Sequence, residues 1–171
     1  MTSTPGNARV EIESNPYTLT GDTFSPRSLL GVERRYTIPE RIVCAGPGVF
    51  NSTVIPPTGV RLLITGVSVD WGAAPTANGS IQLQATLAGS GILGTPDQAA
   101  GAFTTCTPLI RVPNGSPIGA VPMAHPQGLN IVTREGNGAN SLFRVQQVAG
   151  GPDVYNVTVY YSPLYAEDLG C

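Results

Sequence analysis

Ile81-Gln82-Leu83-Gln84-Ala85-Thr86-Leu87 alternates apolar and polar residues at every step, and that period decides the fold class. In an extended chain successive side chains leave on opposite faces. Ile81, Leu83, Ala85 and Leu87 therefore line one face, and Gln82, Gln84 and Thr86 the other. Such a strand sets one face on a core and turns the other to water or a partner. Tyr155, Val157, Val159 and Tyr161 repeat the pattern against Asn156 and Thr158. Leu63, Val67, Val69 and Trp71 are expected to share a face opposed by Ser68 and Asp70, with Gly66 a candidate bulge.

Working outward, Tyr36 and Ile38 lead to Pro39 and then to Arg41-Ile42-Val43-Cys44, Val49-Phe50 with Thr53 to Ile55 reads as another pairing segment, and Val60 to Trp71 as the strongest strand. Ser80 to Ala88 follows, then Phe103 to Val112 interrupted by Pro108. Leu129 to Thr133 and Leu142 to Val148 are expected to form a hairpin around Glu135-Gly136-Asn137-Gly138. Val154 to Tyr161 comes last, stopped by Pro163. The segments 89–101 and 113–127 read as long loops that cross between sheets, an arrangement that favours a jelly roll over adjacent hairpins. Residues 1–35 are broken repeatedly by proline and glycine and read as an extended N-terminal arm. The body is 36–162 and the tail 163–171. The predicted fold is all-β, a jelly-roll-like β-sandwich.

Composition agrees. The 21 glycines and 16 prolines suit many turns, while 41% apolar residues and a net charge of -2 exclude a disordered chain. Charged residues make up 12% of the chain, about half the share in an ordinary soluble domain. A small polar surface of Ser, Thr, Asn and Gln explains that scarcity, and so does a surface covered in an assembly. All nine cations are arginine. Base composition of the gene explains this, as does interface use, since the guanidinium fork tolerates burial better than an ammonium. The scattered arginines and acidic balance give no nucleic-acid footprint. No apolar run is long enough for a membrane helix, and Met1 to Val10 carries no signal-peptide core.

Candidate chemistry is thin. His125 is the one histidine and sits in a proline-rich loop, and no serine occupies a nucleophile elbow. Asp70, Glu135 and Asp153 lie at strand ends and Glu11 and Glu13 on the arm, where turn and surface roles are expected. Cys44, Cys106 and Cys171 have neither metal-ligand nor disulfide-framework spacing. Cys44 and Cys106 read as small strand residues, with a bridge between them as the alternative. No cofactor or metal is expected. Trp71 and Tyr161 fall on apolar faces and read as core, which leaves Tyr160 as the aromatic able to face a ligand. Arg9, Arg27, Arg34 and Arg35, on or beside the arm, are the expected inter-subunit contacts.

Tyr36-Thr37-Ile38-Pro39, Val54-Ile55-Pro56-Pro57 with Gly59-Val60-Arg61, Gly128-Leu129-Asn130-Ile131 and Val157-Thr158-Val159-Tyr160-Tyr161 carry a resemblance. Over residues 36–162 the body resembles the small jelly-roll virion proteins of tailed bacteriophages, of the head decoration or fibre-base type. That resemblance implies a non-enzymatic virion part, often trimeric, whose arm attaches to a shell. The expected role is a capsid decoration protein that binds itself and a major capsid protein, localised to the virion. A carbohydrate- or receptor-binding module and the major capsid protein of a small virus are the alternatives.

Overall fold

The computed structural model describes residues 37–89, 95–123 and 129–165. These form an all-β sandwich of ten strands. In chain order they are β1 (Ile38–Ala45), β2 (Gly48–Asn51), β3 (Arg61–Trp71), β4 (Gly79–Ala85) and β5 (Thr104–Thr105), followed by β6 (Ile110–Val112), β7 (Gly119–Met123), β8 (Ile131–Val132), β9 (Phe143–Ala149) and β10 (Val154–Leu164). The first sheet runs β1-β10-β3-β7 with β8 also on β3; the second runs β2-β9-β4-β5 with β6 also on β4. All pairings are antiparallel.

Both sheets share one device. The outer edge of β3 is covered end to end by β7 and then β8, and the outer edge of β4 by β5 and then β6. In the second case Pro108 explains the gap, because it has no N–H to donate. Thr107 takes over there: its hydroxyl accepts from the Leu83 N–H at 3.0 Å, and the Cys106 N–H donates to the Leu83 carbonyl at 2.8 Å.

The alternating strands behave as their period requires. Ile81, Leu83 and Ala85 are buried against Tyr155, Val157, Val159 and Tyr161 from the facing sheet. Phe143 packs on Tyr161 with ring centroids 5.9 Å apart, and Tyr155 meets Trp71 edge-on at 6.3 Å. Side chains of this size contribute about 2–3 kcal/mol each on burial, before the entropy of ordering them.

Several expectations are corrected. Tyr160 pairs with Gly66 and Tyr161 with Ile64, so Thr65 is an extra residue in β3. The bulge reverses the parity of the strand, and Leu62 and Ile64, not Leu63, share the buried face with Val67, Val69 and Trp71. Thr53 to Ile55 forms no strand. The stretch 113–127 is not all loop, since Gly119–Met123 is an edge strand on β3. Edge position tolerates its Pro122, as it does Pro39 in β1. Leu129–Thr133 and Leu142–Val148 are no hairpin: β8 pairs with β3 and β9 with β2 and β4, in different sheets. The 89–101 connection crosses nothing either, because β5 returns to β4, the strand it left. Nor does Pro163 stop β10. Past Tyr161 that strand has lost β1 as a neighbour and continues along β3 to Leu164.

Candidate functional site

The two ends of the sandwich are built from different materials. One end gathers the loops 45–48, 72–78, 113–118 and 149–153, which carry a single charged residue, Asp153. Even that carboxylate is occupied. It accepts from the Thr76 N–H (3.0 Å) and hydroxyl (2.8 Å) and from the Ala77 N–H (3.1 Å). The Thr76 amide above all holds its pKa below the usual carboxylate range.

These loops are pinned to one another. The Gly46 N–H donates to the Asp153 carbonyl at 3.2 Å, and Gly46 adopts φ +91°, a conformation that costs glycine little. The Gly115 N–H donates to the Pro75 carbonyl at 2.8 Å, the Asn114 N–H to Asn78 Oδ1 at 2.9 Å, and Trp71 Nε1 to the Pro117 carbonyl at 2.9 Å. Ile118 stands on one of these loops, and four exposed valines stand on the strands that adjoin them. Eight large apolar side chains stand exposed among the described residues, and five of them surround this end. Ile118 is 69% exposed and Val43, Val49, Val148 and Val154 between 44% and 53%. Asp70, bonded by Asn156 Nδ2 at 3.1 Å, and Arg111 flank the end on its two outer faces. Val43 and Val154 lie on the outer face of the first sheet, Val49 and Val148 on that of the second and Ile118 on the loop before β7, so exposed apolar side chains ring an end that is poor in charge, and such exposure marks contact surfaces.

The opposite end is a side-chain network around Asp97, a residue that sequence reading placed only in a loop. Its carboxylate accepts from Arg61 Nη1 (3.0 Å), the Gly89 N–H (2.8 Å) and the Glu135 N–H (3.0 Å). Partial burial pushes this carboxyl up, but the Glu135 and Gly89 amides and the Arg61 guanidinium outweigh it and hold the pKa at about 2. Arg134 binds the carbonyls of Glu135 and Gln98, and the Gln98 side chain ties Leu87 to Thr104. Glu40 was also missed. It fastens β1 to the loop after β2 through Ser52 (2.7 Å) and the Thr53 N–H (2.8 Å).

The structure separates the other sequence candidates. Asp70 and Glu135 lie at opposite ends of β3, about 30 Å apart at the usual rise per residue, too far to flank one bond, while Asp153, at the Asp70 end, is bonded to Thr76 and Ala77. Trp71 and Tyr161 are core residues, as expected. Tyr160 is half-buried on the outer face of the first sheet, and a Cβ on Gly66 would stand 3.5 Å from its ring. Cys44 is a fully buried free thiol whose pKa burial pushes up to about 12, and Cys106 is free as well, so the two are not bridged. Among the described residues no three His, Cys, Asp or Glu side chains could hold a metal ion. Arg9, Arg27, Arg34, Arg35, Glu11, Glu13, His125 and Cys171 lie outside the described residues.

No protein-family profile matches the sequence, and no curated protein matches it. The site therefore stands on its geometry.

Proposed function

We propose that the protein is a structural subunit of a virion, a jelly-roll decoration protein that acts as a homo-oligomer, most simply a trimer, on the outside of a shell of major capsid protein. The observation that carries this reading is the uncharged end. Its loops are tied together by main-chain hydrogen bonds and by the Asp153 carboxylate, and Ile118 on a loop and four valines on the adjoining strands stand exposed. A pre-ordered apolar surface loses little conformational freedom when covered, so more of its burial becomes affinity. The scarcity of charge over the whole chain supports the same reading, because few ionic groups must be desolvated when copies pack. Residues 1–35, with Arg9, Arg27, Arg34 and Arg35, supply the attachment to the shell.

Light scattering on the purified full-length chain tests the first half. The expected mass is a small multiple of 17.7 kDa, and a monomer at every accessible concentration refutes self-assembly. Deleting residues 1–30 tests the second half. The truncated protein is expected to melt as the full chain does and to fail to attach to particles, and normal attachment refutes the role of the arm.

A further inference from the structure

We propose that the outer face of the second sheet is a binding site for a carboxylated oligosaccharide, with the Arg144 guanidinium as the carboxylate receptor. The inference does not depend on assembly through the uncharged end; its cluster centres on Arg144, further down the sheet, with Val49 and Val148 at its border.

Arg144 and Gln146 alternate with the buried Phe143, Val145 and Gln147, so they leave β9 on its outer side. Register sets them in two rows across the sheet, Asn51-Arg144-Gln84-Thr105 and Val49-Gln146-Gln82. Four strands make the longer row about 14 Å, room for a short oligosaccharide. The side chains hold one another in place. Arg144 Nε donates to Gln84 Oε1 at 2.6 Å, and the guanidinium lies 4.1 Å from the centroid of the Phe103 ring. Gln84 Nε2 and Gln82 Nε2 both donate to Gln146 Oε1 at 2.8 Å.

A purely structural staple would use up its donors. Only one of the five N–H groups of Arg144 is bonded within the described chain, which leaves the Nη fork aimed by its neighbours and without an acceptor there. The Gln146 amide N–H groups and Gln82 Oε1 are likewise unspent. Among the described residues this face carries no Asp or Glu, and its second cation, Arg111, stands about 13 Å further along β4.

Charge complementarity then calls for an anion. One guanidinium matches a monoanionic carboxylate, which its planar fork binds through two hydrogen bonds. A phosphate dianion calls for further cations or a nest of backbone amides, and the face has neither close by. The amides on either side pair with hydroxyl groups. A peptide would instead pair along a strand edge, whereas the groups gathered here are side chains in the middle of the sheet, on β9 and β4.

Isothermal titration of the full-length protein with trigalacturonate, trimannuronate and sialyllactose tests the site. Binding of at least one is expected, about tenfold weaker for Arg144→Lys, which keeps the charge and loses the fork. Gln82→Ala, at the edge of the cluster, should weaken binding several-fold at an unchanged melting temperature, so the test survives if Arg144→Lys folds poorly. Maltotriose should not bind, inorganic phosphate should not compete, and Tyr160→Ala should bind as the parent does. No binding of any carboxylated trisaccharide overturns the proposal. So does binding unaffected by Gln82→Ala and Arg144→Lys, binding lost in Tyr160→Ala, or equal competition by phosphate.

Discussion

Each end of this sandwich has an aspartate that gathers backbone amides, but only the Asp97 end adds cations to it. At the Asp97 end, ionised side chains reach across from one loop to another and fasten Gly89, Asp97, Gln98, Arg134 and Glu135 to one another and to Arg61 at the start of β3. At the other end the Asp153 carboxylate does the same for Thr76 and Ala77, main-chain bonds join the remaining loops, and the exposed side chains beside them are apolar. Both ends are tied down. They differ in what they show to the outside. A charged network satisfies itself and offers little to a neighbour. A lone carboxylate spent on its neighbours leaves the other end without free charge, beside exposed apolar side chains.

The comparison breaks most sharply at Gly79, which begins β4 beneath the uncharged end. A Cβ there would stand 2.7 Å from Tyr155 Cζ, deep in a core that cannot yield cheaply. Gly79→Ala is expected to cost about 2–3 kcal/mol by overpacking, read as a lower denaturation midpoint. Tyr155→Phe should cost little and can be combined with it, because the buried Tyr155 hydroxyl has no hydrogen-bond partner among the described residues. Removing an unpaired buried hydroxyl is neutral or stabilising by about 1 kcal/mol, and the double variant should recover part of the loss. A Tyr155→Phe variant as damaged as Gly79→Ala would show that the hydroxyl is paired after all.

At the clasped end Asp97→Ala leaves two N–H groups and a guanidinium without their acceptor. About 2 kcal/mol of stability should go with it. The same carboxylate gives this end a pH signature. Its folded pKa of about 2 lies below that of an unfolded aspartate, near 4. The unfolded chain therefore takes up the proton first as pH falls. The stability from this group is present in full above about pH 4 and is lost on the way down to about pH 2, on the order of 1–2 kcal/mol after allowance for solvent screening. Denaturation midpoints measured between pH 6 and 2 should fall accordingly, and Asp97→Asn should flatten the curve. Asp153 acts with the same sign, so Asp97→Asn should flatten it only in part.

Much of this was legible in the sequence. The buried faces of β4 and β10 follow from strict alternation, and the bulge from Gly66, although its effect on parity took Leu63 to the wrong side. The sequence between Arg41 and Arg61, between Asp70 and Asp97, and between Arg111 and Arg134 contains no Asp, Glu, Lys or Arg. Those bare runs are visible in one dimension. That the fold collects parts of them at a single end is not, because strand order decides it, and the partners of β7, β8 and β9 are non-local. Asp97 stayed hidden for a related reason. Its partners Arg61 and Glu135 are 36 and 38 residues away, and nothing in a loop sequence marks a carboxylate as a hub. Arg144 and Gln84 lie 60 residues apart, so the amide cluster was equally out of reach.

The smallest expected effect on stability is the most telling for function. Ile118 is 69% exposed and makes no part of the core, so Ile118→Asp should shift the unfolding free energy by no more than about 0.5 kcal/mol. In an assembly closed by the uncharged end the same change places a carboxylate in a desolvated contact. There it has no cation to meet, since the surrounding loops carry none. The variant should fold as well as the parent and yet elute as a monomer. Arg111→Ala, at the rim, removes a charge where water still reaches and should weaken association only slightly. A monomeric Ile118→Asp protein with a parental melting temperature would separate the work of this end from the stability of the fold. An Ile118→Asp protein that assembles normally would mean that the patch faces solvent in the assembled state, and the surface joining the copies would have to lie elsewhere on the sandwich.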